Sequence, residues 1–333
     1  MELVEKMLGG DVLSLARLIS LVENSNSDTT SIMKLVYPHL GETYCIGITG
    51  PPGAGKSTTV DRLTAVIRQQ GLTVGIICAD PSSPFTGGAV LGDRIRMQQH
   101  YLDEGVFIRS MATRGSHGGL PESTNNVIKL LNAFGKDIIL VETVGVGQTE
   151  LDIMRNADTT IVVLTPESGD TIQTMKAGLF EIADIFAVNK SDRPGSDNMI
   201  AELTNMINLH SNQEVWHTPV IATEAVNNVG IEELYGYVEN HRKMLEETGQ
   251  LAQRRKEQRR QEFIETIERS IKDKLLTIIQ QDKALNKYIG LVENAEIDPY
   301  TAANTVLQSA KFPVNWTIQS SSETSNKPKK EVI

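Results

Sequence analysis

The stretch "GPPGAGKST", residues 50–58, sets three glycines ahead of a Lys-Ser pair. It matches G-x-x-x-x-G-K-S and lies between an apolar run, "YCIGIT", and a helical pattern that begins near Lys56. That strand–loop–helix context is what the motif needs in order to hold phosphate. The loop Gly50, Pro51, Pro52, Gly53, Ala54, Gly55 is expected to turn its backbone N–H groups inward around phosphate oxygens. The helix N-terminus adds its positive dipole end. Lys56 would reach the β- and γ-phosphates. Ser57, followed by Thr58, would give its hydroxyl to Mg²⁺.

A second motif names the base. "AVNKSD" supplies Asn189, Lys190 and Asp192 at the end of an apolar run. The Asp192 carboxylate can accept from the ring N–H and the exocyclic amine of guanine, and adenine offers neither there. A site built for such bonds discriminates on the order of 10⁴-fold, because the wrong base leaves a carboxylate unpaired. Asn189 and Lys190 would brace the loops. Guanine sites usually add a Ser-Ala turn, and here Glu224-Ala225 stands in that place. The Ala225 N–H is the expected donor to the guanine carbonyl oxygen.

Acids gather on the metal side. "DIILVETVG" resembles the D-x-x-G turn beside a γ-phosphate, with Glu142 for the acid and Gly145 for the glycine. Asp80 directly follows the run "TVGIICA", at the sheet edge where ligands bind. Asp93 lies in a glycine-bearing segment. Ser57, Asp80, Asp93 and Glu142 form a candidate oxygen shell for Mg²⁺, directly or through water.

Seven short β-branched runs alternate with helical patterns from Tyr44 to about Glu247. They are "YCIGIT", "TVGIICA", "VFIRS", "DIILVE", "TIVVLT", "DIFAVN" and "TPVIAT". This is the texture of βαβ units, so the fold class expected is α/β with a mostly parallel sheet flanked by helices, a P-loop NTPase. Residues 1–43 form an N-terminal helical segment, with Val12, Leu13, Leu15, Ala16, Ile19 and Val22 on one apolar face. Residues 44–247 are the nucleotide domain. Residues 248–318 are a C-terminal helical arm, with Phe263, Ile264, Ile267, Ile271, Leu275 and Ile278 at helical spacing and a second piece over about 284–307. Residues 319–333 are a polar tail, expected to be mobile.

The composition limits the function. Of 333 residues, 40% are hydrophobic and 22% charged, enough for a sizeable core. The net charge of −10 argues against non-specific nucleic-acid binding. Cys45 and Cys78 both fall in strand-like runs and read as small buried residues. The start "MELVEKMLGG" has acids and no long apolar core, so no signal peptide is expected. No apolar stretch approaches membrane length either. A cytoplasmic protein is the expectation.

Taken together, "GPPGAGKST", "ADPSSPFTGGAVLGDRIRM", "RSMATRGSHGGL", "VETVGVGQTE" and "NKSD" resemble the MeaB/ArgK family of GTPases, in the SIMIBI class of P-loop proteins. The resemblance covers roughly residues 1–310. It implies GTP and GDP as ligands, slow GTP hydrolysis and a glutamate at the switch turn as a group feature. It implies a chaperone of an adenosylcobalamin-dependent acyl-CoA mutase, by default methylmalonyl-CoA mutase. Such a chaperone gates cofactor delivery by the adenosyltransferase. It also implies a homodimer made through the C-terminal arm. By motif, residues 80–96 match switch I and residues 142–150 match switch II. Residues 165–176 match a further switch loop, with Lys176 able to approach the nucleotide. Gly145 would donate its N–H to the γ-phosphate. Gln148 stands as a water-positioning candidate.

Two rivals carry different chemistry. A metal-insertion GTPase of the same class needs a Cys/His cluster to carry its metal, and the two cysteines and six histidines here are scattered. A kinase, a reading linked to the ArgK name and arginine transport, has no need of N-K-x-D.

Overall fold

The computed structural model describes residues 2–24, 28–80, 97–112, 119–143, 145, 154–168, 179–210 and 215–308. Asp93, Gln148, Lys176 and the tail 319–333 lie outside the described residues, as does the side chain of Asp80. So do nearly all of the residues matched to switch I and most of those matched to switch II and the further switch loop.

Every one of the seven apolar runs becomes a strand. They are β1 (Tyr44–Thr49), β2 (Val74–Asp80), β3 (Val106–Ala112), β4 (Ile138–Glu142), β5 (Thr159–Leu164), β6 (Ile185–Asn189) and β7 (Val220–Thr223). They form one sheet in the order β3-β2-β4-β1-β5-β6-β7, and every pairing is parallel. Each residue of β1, β4, β5 and β6 is buried. A parallel sheet covered on both faces needs such continuous apolar strands, which is why these runs do not alternate with polar residues.

Helices cover both faces. Helix α1 (Glu2–Leu8), α2 (Val12–Glu23), α3 (Thr29–Val36) and α5 (Gly119–Ala133) share one core with Cys45, Ile77, Ile139 and Val141. On the other face, α4 (Lys56–Gln69) and α7 (Ile231–Glu247) close over Ile46, Ile48, Ile76 and Leu140. Helix α6 (Ser196–His210) packs on Val162, Leu164, Phe186 and Val188. Since successive strand residues face opposite ways, Cys45 and Cys78 fall in different cores, and both are buried.

Asp11 caps α2 by accepting from the Ser14 N–H at 2.9 Å. The helix buries Leu15, Leu18, Ile19 and Val22. Val12 and Leu13, expected on that face, sit in its first turn at 50% and 70% exposure.

The chain divides into two units, Met1–Gln258 and Arg259–Ile333. Helix α8 (Gln250–Gln281) begins in the first. Its root is fixed by two arginines. Arg254 grips Asp184 with bonds of 3.0 and 2.9 Å, and Arg255 grips Asp158 with bonds of 2.9 and 2.8 Å. Both carboxylates stand just before strands, at the amino edge of the sheet. Past Arg259 the helix carries Phe263, Ile264 and Ile267 exposed. Two helices follow, α9 (Lys283–Glu293) and α10 (Pro299–Gln308), packed on each other. The sequence pattern had joined them. Asp298 separates them by capping α10, accepting from the N–H of Tyr300 at 3.0 Å and of Thr301 at 2.9 Å. Among the described residues no helix is long and apolar enough to cross a membrane.

Candidate nucleotide and switch site

Strand β1 lies where the connections reverse: β4, β2 and β3 extend the sheet on one side of it, and β5, β6 and β7 on the other. Ligands of open α/β sheets bind at the carboxyl ends of strands at such a point. The phosphate-loop motif occupies it. Gly50 has φ +147°, and a Cβ there would stand 2.0 Å from the Val163 carbonyl oxygen. A side chain is excluded by both conformation and space. Gly55, at φ +92°, ends the loop, and Lys56 begins α4. Lys56 is buried, and its ammonium spans the loop by donating to the carbonyls of Gly50 at 2.9 Å and Pro51 at 3.1 Å. Pro52 and Gly53 form the exposed crest, while Pro51 and Ala54 are buried. Thr58 is half-buried on the first turn of α4.

Strand β4 delivers Glu142 to the same place. The Ser57 hydroxyl donates to Glu142 Oε1 at 2.6 Å, and both side chains are buried. The Cys78 thiol, paired with Glu142 across the β2–β4 ladder, lies 3.9 Å from Oε2. A hydroxyl and a carboxylate this close, on a phosphate loop, are the hard oxygen donors that suit Mg²⁺. Among the described residues no group of three or more His, Cys, Asp or Glu stands together as a metal site.

The N-K-x-D loop is joined to the phosphate loop by Asn189. Its amide donates to the Ala54 carbonyl at 2.8 Å, and its Oδ1 accepts the Ala225 N–H at 3.0 Å. One buried side chain therefore fixes the end of β6 against two other loops. Lys190 adds a bond of 2.9 Å to the Gly53 carbonyl, from a backbone with φ 58°. Asp192 is exposed beside them. The Ala225 N–H, expected to face a guanine carbonyl, is committed to Asn189 in this structure and serves as a brace.

Sequence reasoning missed three parts of the site. Arg62, on α4, donates to the carbonyls of Ala225 at 3.2 Å and Val226 at 3.4 Å, so it holds the base-side turn. Thr49 donates to the Gly145 carbonyl at 2.8 Å. Asp61, one turn beyond Ser57, accepts from Gln99 at 2.6 Å and meets the His100 ring at 3.3 Å. Burial opposes a charged His100, but bonding to Asp61 prevails and its pKa is raised. No motif in the sequence marks these residues, since each acts through a contact that only the fold makes.

The family model described as "Methylmalonyl Co-A mutase-associated GTPase MeaB" matches residues 15–280. The chain belongs to the MeaB family of GTPases. A presumed GTPase of Pyrococcus horikoshii is 50% identical over 313 residues, covering 92% of this chain and 97% of that protein. GTPase ArgK of Escherichia coli is 32% identical over 312 residues, covering 90% of this chain and 93% of that one. Among solved structures, a LAO/AO transport system kinase aligns with a TM-score of 0.67 at 25% identity, over 92% of this chain and 95% of the other. As a MeaB-family GTPase the chain binds GTP and GDP.

Proposed function

We propose that this GTPase acts as a nucleotide-controlled chaperone of an adenosylcobalamin-dependent acyl-CoA mutase, methylmalonyl-CoA mutase first. The reading is that it gates cofactor loading by the adenosyltransferase and protects the mutase. Its support is the family's association with that mutase. The geometric observation that carries the switch is the Asn189 bridge between phosphate loop and base loop. Through it, occupancy by base and by phosphate are felt by one set of bonds.

In this reading the N–H groups of residues 53–57 and the Lys56 ammonium hold the phosphates. Asp192 accepts from guanine, and Asn189, Lys190 and Ala225 keep its loop in place. Ser57 and Glu142 would hold Mg²⁺, with Asp80 and Asp93 supplying further oxygens. The ion would neutralise phosphate charge when bound. Gly145 donates its N–H to the γ-phosphate and loses that bond on hydrolysis, which is how such switches report their state. Gln148 and Lys176 couple the site to the partner surface. The exposed Phe263, Ile264 and Ile267 on α8 support a homodimer through the arm.

The test is the GTP hydrolysis rate with and without a purified acyl-CoA mutase. Acceleration by the mutase, weakened in Gln148→Ala and Lys176→Ala while GTP affinity stays within about tenfold, is the expected result. A wild-type rate indifferent to every such mutase removes the chaperone role and leaves the GTPase.

A further inference from the structure

Strand residues alternate between the two faces of a sheet, and the switch turn is held from both. Ile138 and Leu140 point into the core under α4, and Glu142 continues that side to meet Ser57. Thr143 and Thr49 therefore fall on the opposite side. They close the ladder one step beyond the Ile48–Glu142 pair, where the Thr143 N–H donates to the Ile48 carbonyl at 3.1 Å.

Both threonines are buried, at 0% exposure for Thr49 and 1% for Thr143. The Thr143 hydroxyl lies 2.8 Å from the Thr49 oxygen and 3.1 Å from the Gly145 carbonyl. The Thr49 hydroxyl in turn donates to that carbonyl at 2.8 Å. Hydroxyls linked in series polarise one another, so the pair holds the carbonyl more firmly than either alone. Thr49 is also the residue directly before Gly50, so the hydroxyl that holds the switch glycine sits where the chain enters the phosphate loop. Among the described residues, nothing lies within 4 Å of where a Cβ on Gly145 would stand. Among the described residues, the side chains that hold it are these two hydroxyls.

We infer that Thr49 and Thr143 are positioning residues for GTP hydrolysis: their hydroxyls set where Gly145 stands relative to the γ-phosphate. This rests on the reading of Gly145 given above. The consequence is selective. A loosened Gly145 weakens contacts that only the triphosphate makes, and leaves guanine and the first two phosphates untouched.

The experiment compares wild type with Thr49→Val, Thr143→Val and Thr49→Ser. It measures the affinity for GDP, the affinity for a non-hydrolysable GTP analogue, and kcat. In Thr49→Val the preference for the analogue over GDP and kcat should each fall about tenfold, the size of one net hydrogen bond. GDP affinity should move less than about twofold. Thr49→Ser, which restores the hydroxyl, should return both quantities. An unchanged preference and kcat in Thr49→Val overturns the inference, and so does a Thr49→Ser variant that behaves like valine. If Thr49→Val does not fold, Thr143→Val carries the same expectation and the same overturning result. The underlying site reading is tested apart from this by Lys56→Ala, where persisting turnover would refute the phosphate site itself.

Discussion

Ser57 gives its hydroxyl to Glu142 across 2.6 Å, and this bond ties the first turn of α4 to the end of β4. Glutamate rather than aspartate is what the distance requires. Both residues are held by fixed elements, a helix start and a central strand. Glu142→Asp withdraws the carboxylate by one methylene and should lower GTP turnover about tenfold, since a charged hydrogen bond is lost. The Mg²⁺ concentration for half-maximal rate should rise as well. A magnesium titration of the rate checks this, and a curve identical to wild type would show that Glu142 has no part in holding the ion.

Asn189 is the keystone between two loops, and it is buried at 3% exposure. Asn189→Ala leaves the Ala54 carbonyl and the Ala225 N–H without it, at about 1–3 kcal/mol for each group left unsatisfied. The melting temperature should fall, and the stabilisation gained on adding GDP should shrink with it. Thermal unfolding with and without GDP measures both. A variant that melts lower yet gains as much from GDP as wild type would mean the bridge serves folding alone.

His100 anchors the segment 97–100 to α4 through Asp61. Its pKa lies above the ordinary 6.5: burial lowers it, but hydrogen bonds and charge from Asp61, with Asp103 further off, raise it more. A histidine whose pKa is higher folded than unfolded contributes fully below the unfolded value, and that contribution is lost as pH rises through the folded one. The segment should therefore be held more firmly at pH 6 than at pH 8. Hydrogen exchange of residues 97–100, corrected for the intrinsic rate, reads this out, and His100→Gln should flatten it. Equal protection at both pH values in wild type would contradict the pairing.

At the other edge of the sheet, Arg255 faces the buried carboxylate of Asp158, which also accepts the Cys45 N–H at 2.9 Å. Arg255→Ala strands that charge, and breaking one side of a buried pair costs about 3–5 kcal/mol. Urea unfolding should show a loss of that order. A loss below about 1 kcal/mol, the worth of a surface pair, would mean that water reaches Asp158 freely.

The strands and the phosphate loop were legible because their signals are local. A β-branched run bounded by turn residues has few alternatives, and G-x-x-x-x-G-K-S needs only its own neighbours. Asn189 was legible as a brace because its motif fixes its chemistry. Its second contact, to Ala225, was not, since two loops from distant parts of the chain must meet first. Arg62 and Thr49 were invisible for the same reason: each acts on a carbonyl that the fold brings to it from far along the chain, and Thr143 meets Thr49 only once β1 and β4 pair. The break between α9 and α10 could have been read from Asp298-Pro299, an N-cap residue followed by proline at the first helical position. The exposed Val12 and Leu13 show the limit of periodicity, which names a face but not how much of it the neighbours cover.

The base assignment stands on Asp192, exposed beside the braced loop. The direct measurement is a titration of wild type and Asp192→Asn with GTP, ATP and xanthosine triphosphate. Wild type should bind GTP at least about 100-fold more tightly than ATP, because only guanine satisfies the carboxylate. Asp192→Asn exchanges an acceptor for a donor and should turn the preference toward the xanthine nucleotide. Wild type that binds ATP as tightly as GTP would contradict the guanine site.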